Sequence, residues 1–139
     1  MQKLVRVSAI IMLVLGVTGL AFGIVLLVSA NSIHNGTVEE VQKDQPPGQP
    51  VTIDALREHR EQIATYRRAT FGPAYTYNVS NPMYQPAYNL LLQEKGIGVS
   101  LTNLSRAMMY QYAGIGILVL GLGLAAAGVV QYKMAGRMT

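Results

Sequence analysis

The chain has 139 residues, a formal net charge of +4 and a pI near 9.5, yet charged residues make up only 13% of it. Soluble domains carry about 25% charged residues, so the basic balance does not describe a soluble nucleic-acid binder, and an all-α membrane protein is the favoured class. There is no cysteine, which excludes disulfide frameworks, thiolate zinc sites, iron–sulfur clusters, covalently attached haem and a cysteine nucleophile.

After a basic tail at residues 1–6, the run from Val7 to Val28 carries no charge. As a helix it reaches about 33 Å at about 1.5 Å per residue, enough to cross a hydrocarbon core of about 30 Å. The spacing predicts a first transmembrane helix over 7–29. Lys3 and Arg6 followed by Val28-Ser29-Ala30 also resemble a secretory signal with a small-residue cleavage site. The apolar run exceeds the roughly 7–15 residues of a signal h-region, so an uncleaved signal anchor is the expectation.

Residues 30–51 are polar and rich in turn formers, including Asn35-Gly36 and Gln45-Pro46-Pro47-Gly48-Gln49-Pro50. Prolines lack a backbone donor and favour extended chain, so this stretch reads as a linker. Thr52 or Asp54 can cap an amphipathic helix over 52–70, with Leu56, Ile63 and Tyr66 as its narrow apolar stripe. Arg67-Arg68 beside Tyr66 reads as the solvated end of that helix. Glu58, His59 and Glu61 are the nearest approach to an acid–base set, but consecutive helical residues diverge in direction and the neighbouring arginines favour surface ion pairs.

Residues 71–88 hold three prolines and four tyrosines and read as a Tyr/Pro-rich loop without a regular element over most of its length. Its aromatic residues, with the helix end before it, make a candidate partner interface: Tyr66, Phe71, Tyr75, Tyr77, Tyr84 and Tyr88. Tyrosine buries a large ring and keeps a hydroxyl handle, which suits interface cores. Residues 89–111 read as helical. Pro86 opens a short helix through Leu90–Leu92, Gly96 and Gly98 act as a hinge, and Ser100 or Thr102 caps the next helix.

From Ala113 to Val130 the chain is again uncharged, bracketed by Tyr112 and Tyr132 at the separation of two membrane interfaces. The second transmembrane helix is placed at 112–132 and a tail at 133–139. Gly16, Gly19 and Gly23 in the first span, and Gly121, Gly123, Ala125 and Ala127 in the second, supply small residues where helices approach closely. Lys3, Arg6, Tyr112, Tyr132, Lys133 and Arg137 read as membrane anchors.

The seven acids, from Glu39 to Glu94, lie between the spans together with seven bases, so the whole excess of +4 sits on Lys3, Arg6, Lys133 and Arg137. Basic flanks stay inside, which predicts cytoplasmic termini and residues 30–111 outside the cell or cytoplasmic membrane. Three N-x-S/T triplets, at Asn35, Asn78 and Asn103, permit glycosylation there.

His34 and His59 have no second ligand at metal spacing, and neither span carries an ionisable residue for proton relay or ion binding. No catalytic, cofactor-binding or metal-binding residue is therefore expected. No covalent cofactor is expected either, while a bound lipid or pigment is compatible with the spans. The expected architecture is two transmembrane helices joined by an outward cap of short helices and the Tyr/Pro-rich loop. Only about a dozen aliphatic residues lie between Val38 and Val99, a thin core, so the cap depends on other surfaces. The expected role is a noncatalytic accessory or structural subunit of a larger integral membrane complex, respiratory, photosynthetic or membrane oxidase, with other membrane subunits and the lipid bilayer as partners and no nucleic acid. The alternative is a self-assembling cell-surface or sensory protein whose extracytoplasmic region binds a ligand.

Overall fold

The computed structural model describes residues 1–43 and 50–137. It contains three α-helices, α1 (Gln2–Lys43), α2 (Ile53–Phe71) and α3 (Gln85–Gly136), with single 3₁₀ turns at Ala74–Thr76 and Pro82–Tyr84 between α2 and α3. Among the described residues there is no strand. The chain divides into two compact units: Met1–Ser32 with Ala107–Thr139, and Ile33–Arg106.

In the first unit the two chain segments pair antiparallel. Gly16 lies against Gly121 and Ala125, Gly23 against Gly114 and Leu118, and Ala9 against Gly128. At one end of the pair Gln2 Nε2 donates to the Ala135 carbonyl at 2.8 Å. The buried positions repeat every seven residues, at Ala9, Gly16, Gly23 and Ala30 on one helix of the pair and at Gly114, Gly121, Gly128 and Ala135 on the other. A strict period of 3.5 residues per turn is that of a left-handed coil, and here its seam is built of the smallest residues. The large apolar side chains, such as Ile10, Val14, Phe22, Val119 and Leu120, are instead exposed. Both helices are long and apolar enough to cross a membrane.

The second unit has a small core of Leu56, Leu101 and Leu104, ringed by Val38, Val41, Val51, Ile53 and Ile97. Thr52 caps α2, its hydroxyl accepting from the Ala55 amide at 3.1 Å. Two expectations change here. Residues 31–43 belong to α1, not to a linker. Thr37 is buried with its hydroxyl donating to the Ile33 carbonyl at 2.7 Å, and Val38 and Val41 reach the leucine cluster, so packing offsets the weak helix propensity of Asn and Gly. The proline run at 44–49 lies outside the described residues.

Gly96 and Gly98 form no hinge and Ser100 and Thr102 no cap, because α3 is continuous from Gln85. A glycine costs about 1 kcal/mol relative to alanine in a helix interior. Burial of Leu101 and Leu104 just beyond the pair outweighs that cost. Thr102 bonds back to the Gly98 carbonyl at 3.0 Å, the arrangement of a mid-helix hydroxyl.

Candidate functional site

The face that α2 buries carries Leu56, Ala64 and Arg67; Ile63 is half-buried and Tyr66 is exposed. The expected stripe of Leu56, Ile63 and Tyr66 is thus rotated, and the reason is a charge. Arg67 is no solvated helix end: it is 7% exposed and Glu94, on α3, is 9% exposed. Arg67 Nε donates to Glu94 Oε2 at 2.7 Å and Nη2 to Oε1 at 3.4 Å, while Nη1 donates to the Tyr77 hydroxyl at 3.1 Å. A two-point guanidinium–carboxylate contact is the geometry that makes a buried charge tolerable. The hydrogen bond donated to Glu94, then that donated to Tyr77, holds the Arg67 guanidinium above its usual value against the opposing effect of burial.

The same node anchors the loop. The Tyr77 hydroxyl donates to the Gly72 carbonyl at 2.8 Å, and Gly72 adopts φ +79°, a left-handed conformation that L side chains rarely enter. The Tyr77 ring stacks on Tyr84 with centroids 5.2 Å apart and meets the edge of Tyr88 at 5.9 Å. The aromatic set therefore splits in two. Tyr77, Tyr84 and Tyr88 hold the loop to its own helices, and Phe71 is half-buried. Tyr75 is 89% exposed and Val79 82%, with Tyr66 and Met83 also outward. No charged residue occurs between Ala69 and Gln93, so the displayed surface is neutral.

The helix-packing residues divide similarly. A Cβ at Gly16 would lie 2.6 Å from the Ala125 backbone nitrogen, and one at Gly121 would lie 2.8 Å from the Gly16 carbonyl oxygen. Gly19 is looser, with 3.4 Å to the Gly121 Cα, and Gly23 is tight against Leu118. Gly123 faces open space and Ala127 is exposed, so both lie off the seam. Ala9, Ala30, Gly114, Gly128 and Ala135 lie on it. Spacings of four led to Gly123 and Ala127, whereas the seven-residue period carries the signal for the others.

Among the anchor residues, the Arg6 guanidinium lies over the Tyr132 ring at 6.0 Å, a cation–π distance. Tyr112 is exposed, as are Lys3, Lys133 and Arg137. Asn35 and Asn103 lie within helices. Asn78 lies in the loop, its side-chain oxygen accepting from the Ser80 amide at 3.1 Å.

Glu58 and His59 do not come together. His59 lines an open groove of about 640 Å³ with residues of α1, α2 and α3, whereas Glu58 lines a separate one with Arg57, Arg60 and Glu61, where Glu61 meets Arg68 at 3.3 Å. Among the described residues no group of three His, Asp or Glu side chains is placed to hold a metal ion.

Glu94 is the site residue that sequence reasoning missed. Its available signal was periodic: Ala87, Glu94 and Leu101 are buried at intervals of seven, placing an acid on the inward seam of the helix. Comparison of the chain with protein-family models, with curated proteins and with solved structures finds no match.

Proposed function

We propose that the chain is a noncatalytic accessory subunit of a larger membrane assembly. Both spans would sit in the bilayer with the termini cytoplasmic and residues 30–111 outside, and the loop between α2 and α3 would meet a neighbouring subunit. The observation that carries this reading is the loop itself. It is fixed at its base by Arg67, Glu94 and Tyr77, and it holds Tyr75 and Val79 almost fully in solvent. A neutral, pre-ordered aromatic surface loses little entropy on docking, and its lack of charge suits an apolar partner face.

Two further observations support the membrane setting. Small residues fill the seam of the first unit while large apolar ones face out, the arrangement favoured where the solvent is lipid. The excess positive charge is confined to the tails, which favours the stated orientation.

Purification through a C-terminal tag in mild detergent is expected to recover the chain with a defined set of other membrane proteins, and Tyr75→Ser combined with Val79→Ser is expected to release them without altering helicity by circular dichroism. Recovery of the unaltered chain as a lone monomer would overturn the proposal. The alternative, a surface or sensory protein, is favoured by one observation, the groove beside His59.

A further inference from the structure

The groove lies within the second unit, is bounded by residues of all three helices, and at about 640 Å³ falls in the range of small-molecule sites, about 300–1,000 Å³. One side of it is apolar, with Leu56 and Ile63 from α2 and Ile97 from α3, and Gln93 and Ser100 of α3 also line it. Gly96 also lines it, and a Cβ built there meets nothing within 4 Å; the missing side chain leaves part of the groove open. Apart from His59, the one ionisable residue lining the groove is Glu40, which makes no ion pair among the described residues.

We propose that this groove binds a small amphipathic amine, with its ammonium group against Glu40, His59 beside the polar end, and its apolar body along Leu56, Ile63 and Ile97 above Gly96. Charge sets the class. Glu40 is exposed, but as the only acid on the groove it attracts a cation bound there and repels an anion. The apolar side favours a ligand with an apolar body, since polar atoms laid against Leu56, Ile63 and Ile97 would lose water without gaining partners. The inference is independent of the accessory-subunit reading, because it concerns a site formed entirely by the second unit.

The test uses three probes with one ring and different heads: 2-phenylethylamine, 2-phenylethanol and phenylacetate. Each is titrated by calorimetry into the full chain in lipid nanodiscs, with empty nanodiscs subtracted to remove partitioning. The amine is expected to bind about three- to fivefold more tightly than the alcohol, a difference of about 0.6–1 kcal/mol, and the acid is expected to bind more weakly than either. Glu40→Gln is expected to erase the preference for the amine while leaving alcohol binding unchanged. Gly96→Leu places a side chain in the open space of a helix that tolerates it and is expected to abolish binding of all three with helicity retained. Equal affinity for amine and alcohol, an amine preference that survives Glu40→Gln, or binding that survives Gly96→Leu would each overturn the proposal.

Discussion

The two units of this chain bury opposite kinds of residue. In the first, glycine and alanine occupy the interior and isoleucine, valine, leucine and phenylalanine face outward; in the second, three leucines and an ion pair are inside and the charged residues are mostly outside. The second is the arrangement of a protein in water, where apolar area is hidden. In a bilayer the first would gain nothing by hiding apolar area from lipid, and its helices would be held by close backbone approach and the dispersion contacts that approach permits. The contrast is therefore one of mechanism: burial of apolar surface within Ile33–Arg106, removal of side-chain bulk in the other unit.

The largest expected effect comes from the buried charge. Glu94→Leu leaves the Arg67 guanidinium buried with Tyr77 as its remaining partner, and loss of one member of such a pair costs about 3–5 kcal/mol. Arg67→Met combined with Glu94→Leu removes both charges and is expected to recover most of that loss. Chemical denaturation of the full chain in detergent, followed by tyrosine fluorescence, reads both. A double variant as unstable as Glu94→Leu alone would show that the node acts through its hydrogen bonds to the loop rather than through charge. The node's pH dependence has a definite sign. The Arg67 group is held above its usual value, so its contribution is complete below that value and declines only as pH rises through the raised one, in strongly alkaline solution.

The all-helical class and the two long apolar helices were legible in the sequence because each rests on an uninterrupted pattern: an uncharged run longer than the bilayer is thick. What was not legible came from tertiary contact. Residues 31–43 look like a linker until Val38 and Val41 find the leucines of the other helices, and Gly96 and Gly98 look like a hinge until the helix around them is packed. Arg67 beside Arg68 looks solvated by local rules. Nothing local announces that its partner lies 27 residues away on α3. The Tyr/Pro-rich stretch offered composition without geometry, and the division between tyrosines that fasten the loop and tyrosines that it displays is set by the tertiary contacts of Tyr77.

A smaller effect is expected in the first unit. In Gly16→Leu the new Cβ would fall 2.6 Å from one backbone atom and 2.7 Å from another, and backbone cannot turn aside as a side-chain tip does. Overpacking of this kind costs about 1–3 kcal/mol, here as separation of the paired helices. Cysteine cross-linking between introduced positions on the two segments would report it as loss of the cross-link. Retention of the full yield would show that close approach at Gly16 is not what holds the pair.

Gly123→Leu is the smallest and the most discriminating change. Gly123 lies on the paired helix α3, two residues from the seam glycine Gly121, but a Cβ there meets nothing within 4 Å, so the paired segments are expected to stay together within about 0.5 kcal/mol, the range of substitutions away from packed features. Two copies of one substitution thus separate glycine at the seam from glycine in a membrane-type sequence. Equal losses at Gly16 and Gly123 would mean that the seven-residue seam does not distinguish them. A loss of co-purifying partners at Gly123 alone, with the helix pair intact, would assign its open face to contact with another membrane helix and extend the interface beyond the loop.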